Sequence, residues 1–151
     1  MGRVTGRAAE TRVRVVAAAL FHGPKPAAGG GRHVLIAQRP SGKHMAGRWE
    51  FPGGKVAAGE TDFEALQREL REELGIEMDE ARHCLTLTHA YPDRTVDLSM
   101  WIVDLYRGEP VALDGQRIKW AAVAGLASED ILEADRPFVE ALQALEGSGT
   151  G

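Results

Sequence analysis

Apolar and polar residues are distributed along this chain in blocks that separate into strands and helices. Arg12 to Phe21 is a valine- and alanine-rich run that ends at the Gly/Pro/Ala-rich stretch Gly23 to Gly31, and His33-Val34-Leu35-Ile36-Ala37-Gln38-Arg39 resumes the strand pattern. These two runs predict a hairpin with a long connection. No helix start follows the glycines, so the connection reads as a tolerated surface insertion and not as a phosphate cradle. Thr61 to Leu74 predicts a helix: Thr61-Asp62-Phe63-Glu64 has the form of a capping box, Gly75 follows at the left-handed C-terminal position, and Phe63, Leu66, Leu70 and Leu74 recur on one face. His83 to His89 and Val96 to Tyr106 predict antiparallel strands turned by Tyr91-Pro92-Asp93-Arg94, and Ile118 to Val123 a shorter strand. Arg136 to Leu145 predicts a terminal helix with Pro137 in its first turn and Phe138, Ala141, Leu142 and Leu145 inward, before a loose tail from Gly147 to Gly151.

A length of 151 residues leaves room for one domain, with its core over about residues 12–145, and 44% hydrophobic with 26% charged residues is an ordinary globular composition. Eighteen basic against 22 acidic side chains give a net charge of -4, which argues against a nucleic-acid polymer as partner. A small phosphorylated substrate stays open, because divalent cations bridge carboxylates to phosphate oxygens. Cys84 is the single cysteine, so no intrachain disulfide forms; its place in His83-Cys84-Leu85-Thr86-Leu87 reads as a buried strand residue. The apolar run Val13 to Phe21 is too short to span a bilayer and contains Arg14, so no membrane partner is expected and the protein reads as cytoplasmic.

On the predicted Thr61 to Leu74 helix, Glu69, Glu72 and Glu73 project from neighbouring parts of one surface, where like charges repel unless a cation sits between them. A solvated acidic face is the ordinary reading of such a helix. The upstream run Trp49-Glu50-Phe51-Pro52-Gly53-Gly54-Lys55 changes it, since paired glycines let backbone atoms approach a ligand closely. His44 and His89 have no metal-ligand spacing and stay outside the catalytic set.

Gly54, five residues, Glu60, seven residues, then Arg68-Glu69-Leu70-Arg71-Glu72-Glu73-Leu74-Gly75-Ile76 resembles the Nudix box at every defining position. Ile36-Ala37-Gln38-Arg39, His44-Met45-Ala46, the Trp49 to Lys55 run, Tyr91-Pro92-Asp93-Arg94 and Asp114-Gly115-Gln116 extend the likeness to the MutT-like branch, from about Arg12 to Leu145. The resemblance implies an α+β Nudix fold, a mixed β-sheet sandwiched between α-helices (α/β/α). It also implies a magnesium-dependent pyrophosphohydrolase, with manganese as a substitute, that clears oxidised purine nucleoside triphosphates such as 8-oxo-dGTP as a monomer or homodimer.

Carried over residue by residue, the resemblance makes Glu69, Glu72 and Glu73 metal ligands and catalytic carboxylates, joined by the Gly53 carbonyl and by Asp114, which stands where the branch has a glutamate. Asp114 reads equally as a turn residue. Arg39 and Lys55 would meet phosphate oxygens, Glu60 would orient the box loop and Arg68 would tie the helix to neighbouring carboxylates. Phe51, Tyr91 or Trp49 would stack on a base, and Asp93 and Arg94 lie in a matching turn on the substrate side. Asp135 stands where the branch has a base-reading asparagine; it reads as a base contact or as a helix cap, and the two roles coexist. Modified pyrimidine triphosphates or another nucleoside diphosphate derivative form the alternative substrate class, and a catalytically silent nucleotide-binding module is a further one.

Overall fold

The structure, a computed structural model, describes residues 11–23, 31–43 and 45–148. Most of the Gly23 to Gly31 stretch, His44 and the last three residues of the tail lie outside them. Among the described residues seven strands and two α-helices follow in the order β1 (Arg12–Leu20), β2 (His33–Gln38), β3 (Trp49–Glu50), β4 (Gly53–Lys55), α1 (Asp62–Leu74), β5 (Glu77–Tyr91), β6 (Arg94–Arg107), β7 (Arg117–Ala122) and α2 (Arg136–Ser148). A mixed four-stranded sheet has the order β4-β1-β6-β5 and a three-stranded sheet the order β3-β2-β7.

The expected β1–β2 hairpin does not form. β1 has both edges occupied, by β4 antiparallel and by β6 parallel, and β2 pairs instead with β3 and β7. The two strands meet through one bridge, Phe21 to Val34, so the intervening chain carries the fold from one sheet to the other.

Side-chain alternation on β1 places two cores on opposite faces of the sheet. Val16, Ala18 and Leu20 pack with Leu66, Leu70 and Leu74 of α1, whereas Ala17 and Ala19 pack with Phe138 and Leu142 of α2. Helix, sheet and helix therefore stack in three layers. Burial on both faces explains why β1 reads as a near-continuous apolar run.

Helix α1 starts and stops where its sequence dictates. The Thr61 hydroxyl accepts from Glu64 N–H at 3.1 Å, the Glu64 carboxylate accepts from Thr61 N–H at 3.0 Å, and Gly75 ends the helix at φ +71°. Phe63 is half-buried against Trp101, and Ala65 joins Leu66, Leu70 and Leu74 in the core, beside the face that their spacing marks.

β5 begins six residues before the expected His83, because register shifts at Met78/Glu80, Glu80/Ala81 and His83/Leu85 interrupt the two-residue alternation. Cys84 lies in this bulged stretch and is half-buried rather than enclosed. Tyr91 pairs with Arg94 across the predicted turn. Val123 leaves β7 to begin a 3-10 turn and is buried there. In α2 the inward stripe is Phe138, Val139 and Leu142; Leu145 is 45% exposed, because its turn of the helix has passed beyond the core cluster.

Candidate active site

The helix and the glycine strand are locked together by one guanidinium. Arg68 donates through Nε to Glu60 at 2.6 Å, through its terminal nitrogens to Glu60 at 2.8 Å, Glu69 at 3.1 Å and Glu72 at 3.3 Å, and to the Lys55 carbonyl at 3.0 Å. Glu60 also accepts from Ala57 N–H at 2.8 Å. The Arg68 hydrogen bonds, and then the Ala57 amide, hold the Glu60 carboxyl down to about 2. Glu60 thus fixes the turn into α1 as a permanent anion paired with Arg68.

The two glycines of β4 have different spatial reasons. A Cβ on Gly53 would stand 1.9 Å from the Val16 carbonyl oxygen, so only glycine lets β4 lie this close to β1. A Cβ on Gly54 would stand 2.4 Å from the Glu69 carboxyl carbon, so the bare backbone makes room for that carboxylate.

These groups border a cleft of about 410 Å³, within the size range of small-molecule sites. Gly53, Gly54, Lys55, Glu69, Glu73 and Asp114 line it, as do Arg39, Glu50, Phe51, Arg94 and Asp135. Four of the anticipated ligand and substrate contacts, Glu72, Asp93, Tyr91 and Trp49, are not on that lining. Glu72 is turned outward, its side chain 60% exposed and paired with Arg68, and Asp93 is an exposed turn residue paired with Arg94 at 3.2 Å.

Electrostatically the cleft is overloaded with carboxylates. Burial first, and then the neighbouring Glu69, Glu50 and Asp114, push the Glu73 carboxyl far up. Burial also raises Glu50, against the opposing pull of Arg39, which donates to it at 2.9 Å. Asp135 is 5% exposed and is pushed up to about 7 by burial, while the Phe51 N–H that it accepts at 3.1 Å pulls the other way. The segment before Asp135 is stitched to β3 by Trp49 N–H to Asp130 O at 2.8 Å and Leu132 N–H to Trp49 O at 2.9 Å, which brings Asp135 under Phe51.

As the side chains stand, among the described residues no three His, Cys, Asp or Glu groups converge closely enough to hold a metal ion. The donor chemistry nevertheless fits a hard divalent cation. Glu69, Glu73 and Asp114 offer oxygen donors, burial and then the neighbouring carboxylates push the Glu73 carboxyl up in a way that a cation would relieve, and Gly54 leaves space beside Glu69 for rearrangement.

The sequence profile of the NUDIX domain matches residues 28–141, most of the chain. This chain belongs to the Nudix family. Nudix hydrolases in general need a divalent metal ion. The chain is 38% identical over 112 residues to an 8-oxo-dGTP diphosphatase of Escherichia coli K12, covering 74% of this chain and 87% of that one. It is 36% identical over 115 residues to the CTP pyrophosphohydrolase of the same organism, covering 76% and 85%. A MutT structure from work on the Aliivibrio salmonicida and Vibrio cholerae proteins superposes with a TM-score of 0.74 at 32% identity, covering 89% of this chain and 99% of that chain.

Within this Nudix fold the rings expected to stack on a base have other neighbours. Phe51 is 3% exposed with its ring 4.8 Å from that of Phe138, Trp49 lies under Lys119 at 4.5 Å, and Tyr91 packs beside His89 and Arg94. The flat wall of the cleft is aliphatic, built by Val13 and Val15 of β1 with Val96 and Leu98 of β6. Glu50 and Gln116 also border it without having been assigned a role from sequence. Glu50 was detectable in principle, as the acidic residue between Trp49 and Phe51.

Proposed function

We propose that this Nudix protein hydrolyses a nucleoside triphosphate to the monophosphate and pyrophosphate, with 8-oxo-dGTP as its substrate. The observation that carries the reading is a single cleft with a carboxylate cluster at Glu69, Glu73 and Asp114 and a second buried carboxylate, Asp135, on its lining. In this reading Glu69, Glu73 and Asp114, with the Gly53 carbonyl, would hold magnesium, manganese being a substitute, and Glu72 would join them from outside the lining. When bound, such an ion supplies charge neutralisation at the polyphosphate and makes water acidic enough to react. Lys55 and Arg39 orient the phosphate oxygens, Arg39 as a planar donor pair. Water attacks phosphorus, the bridging anhydride bond breaks toward pyrophosphate, and a carboxylate of the cluster takes the proton lost by the water.

Asp135 supports recognition of an oxidised guanine. Near neutral pH its carboxyl divides between an ionised form that only accepts and a protonated form that also donates, the pairing an amide would offer. Val13, Val15, Val96 and Leu98 give the base an apolar face to lie against.

A second reading, a pyrimidine triphosphate, is favoured by the likeness to the CTP pyrophosphohydrolase and by the suitability of an ionised Asp135 for an exocyclic amine. Incubation with magnesium and 8-oxo-dGTP, dGTP, dCTP and CTP, with pyrophosphate release measured, separates the two. The expected order puts 8-oxo-dGTP first in kcat/KM. A preference for CTP or dCTP selects the second reading, and absence of pyrophosphate from every member overturns both. Glu73→Gln is expected to lose turnover while keeping its thermal midpoint.

A further inference from the structure

Helix α1 ends with carbonyls that have no partner inside the helix. The chain beyond β6 supplies partners: Val111 N–H donates to Leu74 O at 3.0 Å and Leu113 N–H to Glu73 O at 3.0 Å. Gln116 adds a side-chain donor, with Nε2 at 3.2 Å from the same Glu73 carbonyl. Its other atom turns back on the loop, Oε1 accepting from Asp114 N–H at 2.8 Å across Gly115, whose φ of +75° makes the reversal. One amide therefore joins the residue carrying the Asp114 carboxylate to the residue carrying the Glu73 carboxylate.

Packing contributes little to holding this loop. Val111 is 54% and Leu113 56% exposed, and Asp114 is exposed as well, so hydrogen bonds fix the segment. The bridge needs a side chain that accepts at one atom and donates at the other, over the reach of glutamine. A carboxylate keeps the acceptor and loses the donor, and alanine loses both.

We propose that Gln116 is a positioning residue, which fastens the Asp114 loop to the C-terminal end of α1 and so sets where the Asp114 carboxylate stands at the cleft relative to Glu73. This rests on the reading of Asp114 as part of the site. With both amide atoms engaged, by Asp114 N–H and the Glu73 carbonyl, Gln116 acts in this proposal through Asp114.

The test is a cycle of Gln116→Ala, Asp114→Ala and the double variant, with Gln116→Glu alongside, read in two ways. Amide hydrogen exchange of residues 111–116 is measured on the metal-free proteins, and kcat and KM are measured with magnesium and 8-oxo-dGTP. Faster exchange at the Asp114 amide is expected in Gln116→Ala, with kcat lowered about tenfold and KM within about twofold, the scale of a group that orients a ligand. Gln116→Glu is expected to match that loss of kcat, because the side-chain donor to the Glu73 carbonyl is gone and only the Leu113 amide still reaches it. In the Asp114→Ala background, Gln116→Ala is expected to cost nothing further. Unchanged exchange at Asp114, a fully active Gln116→Glu, an Asp114→Ala variant with normal kcat, or a strictly additive cycle each overturns the proposal. If the wild-type protein fails to hydrolyse any triphosphate, the reading of the reaction falls separately, and the exchange measurement still decides whether the bridge holds the loop.

Discussion

Adding one methyl group to each of two adjacent glycines should have opposite consequences. At Gly54 the intruding Cβ meets the end of a side chain, the Glu69 carboxyl at 2.4 to 2.6 Å, and that side chain can swing away. Its departure removes the 3.1 Å bond from Arg68, a partly exposed pair whose loss costs up to about 1 kcal/mol. Alanine in an ordinary backbone conformation also restricts the unfolded chain, which returns about 0.4–1 kcal/mol. The two nearly cancel, so Gly54→Ala should shift the thermal midpoint by no more than about 3 °C. Turnover should fall about 100-fold, because Glu69 no longer stands at the cleft. At Gly53 the obstacles are backbone, the Val16 carbonyl oxygen at 1.9 Å and the Ala17 Cα at 2.7 Å, and neither can move without opening the β1–β4 ladder. Overpacking of this kind costs about 3 kcal/mol, or roughly 6–12 °C in a domain of this size. Thermal unfolding by circular dichroism with parallel pyrophosphate-release kinetics reads both variants. A Gly54→Ala protein with wild-type kcat/KM would refute the placement of Glu69 in the chemistry, and a Gly53→Ala protein with an unshifted midpoint would refute the steric account of the strand.

Two further outcomes follow from the same structure. Asp135 binds its proton more tightly in the folded state, about 7 against an ordinary 3.8, so the folded protein holds more protons between those values and stability falls as pH rises through them. Asp135→Asn, which cannot ionise and can still accept from Phe51 N–H, should match the wild type near pH 4 and exceed it above pH 7 by on the order of 4 kcal/mol; parallel denaturant titrations at the two pH values check this, and identical curves at pH 8 would contradict it. Thr61→Ala removes the hydroxyl half of the reciprocal cap on α1, leaving the Glu64 carboxylate on the N–H of residue 61, and should lower stability by about 1 kcal/mol, seen as a midpoint lower by roughly 2–4 °C, with kcat/KM retained.

What could be read from the residues divides by the range of the signal. Helix α1 was legible end to end because Thr61, Glu64 and Gly75 are local signals whose physics does not depend on the rest of the fold. The convergence of Glu69, Glu73, Asp114, Arg39 and Asp135 on one cleft followed only from resemblance, since spacing along the chain carries no information on contacts across sheets. Strands β3 and β4 escaped notice because each is two or three residues long and β4 is mostly glycine, which no strand propensity favours. The partner of β1 was misjudged for a similar reason: alternation says that a strand is buried, not which neighbour buries it. Glu72 belongs to the same helical surface as Glu69 and Glu73 and stands four residues from Arg68, a spacing that foretells their ion pair, yet spacing does not say that its carboxylate stays largely exposed while that of Glu69 is mostly covered.

Residues 49 to 55 run from the three-stranded sheet into the four-stranded one, with Trp49 and Glu50 paired to β2, Gly53 to Lys55 paired to β1, and Pro52 O accepting from Ala18 N–H at 2.9 Å. Phe51 holds Asp135 and Gly53 lies two residues on, so covalent chain length acts as a ruler between the two carboxylate-bearing regions of the cleft. An inserted residue there would lengthen that ruler by about 3 Å.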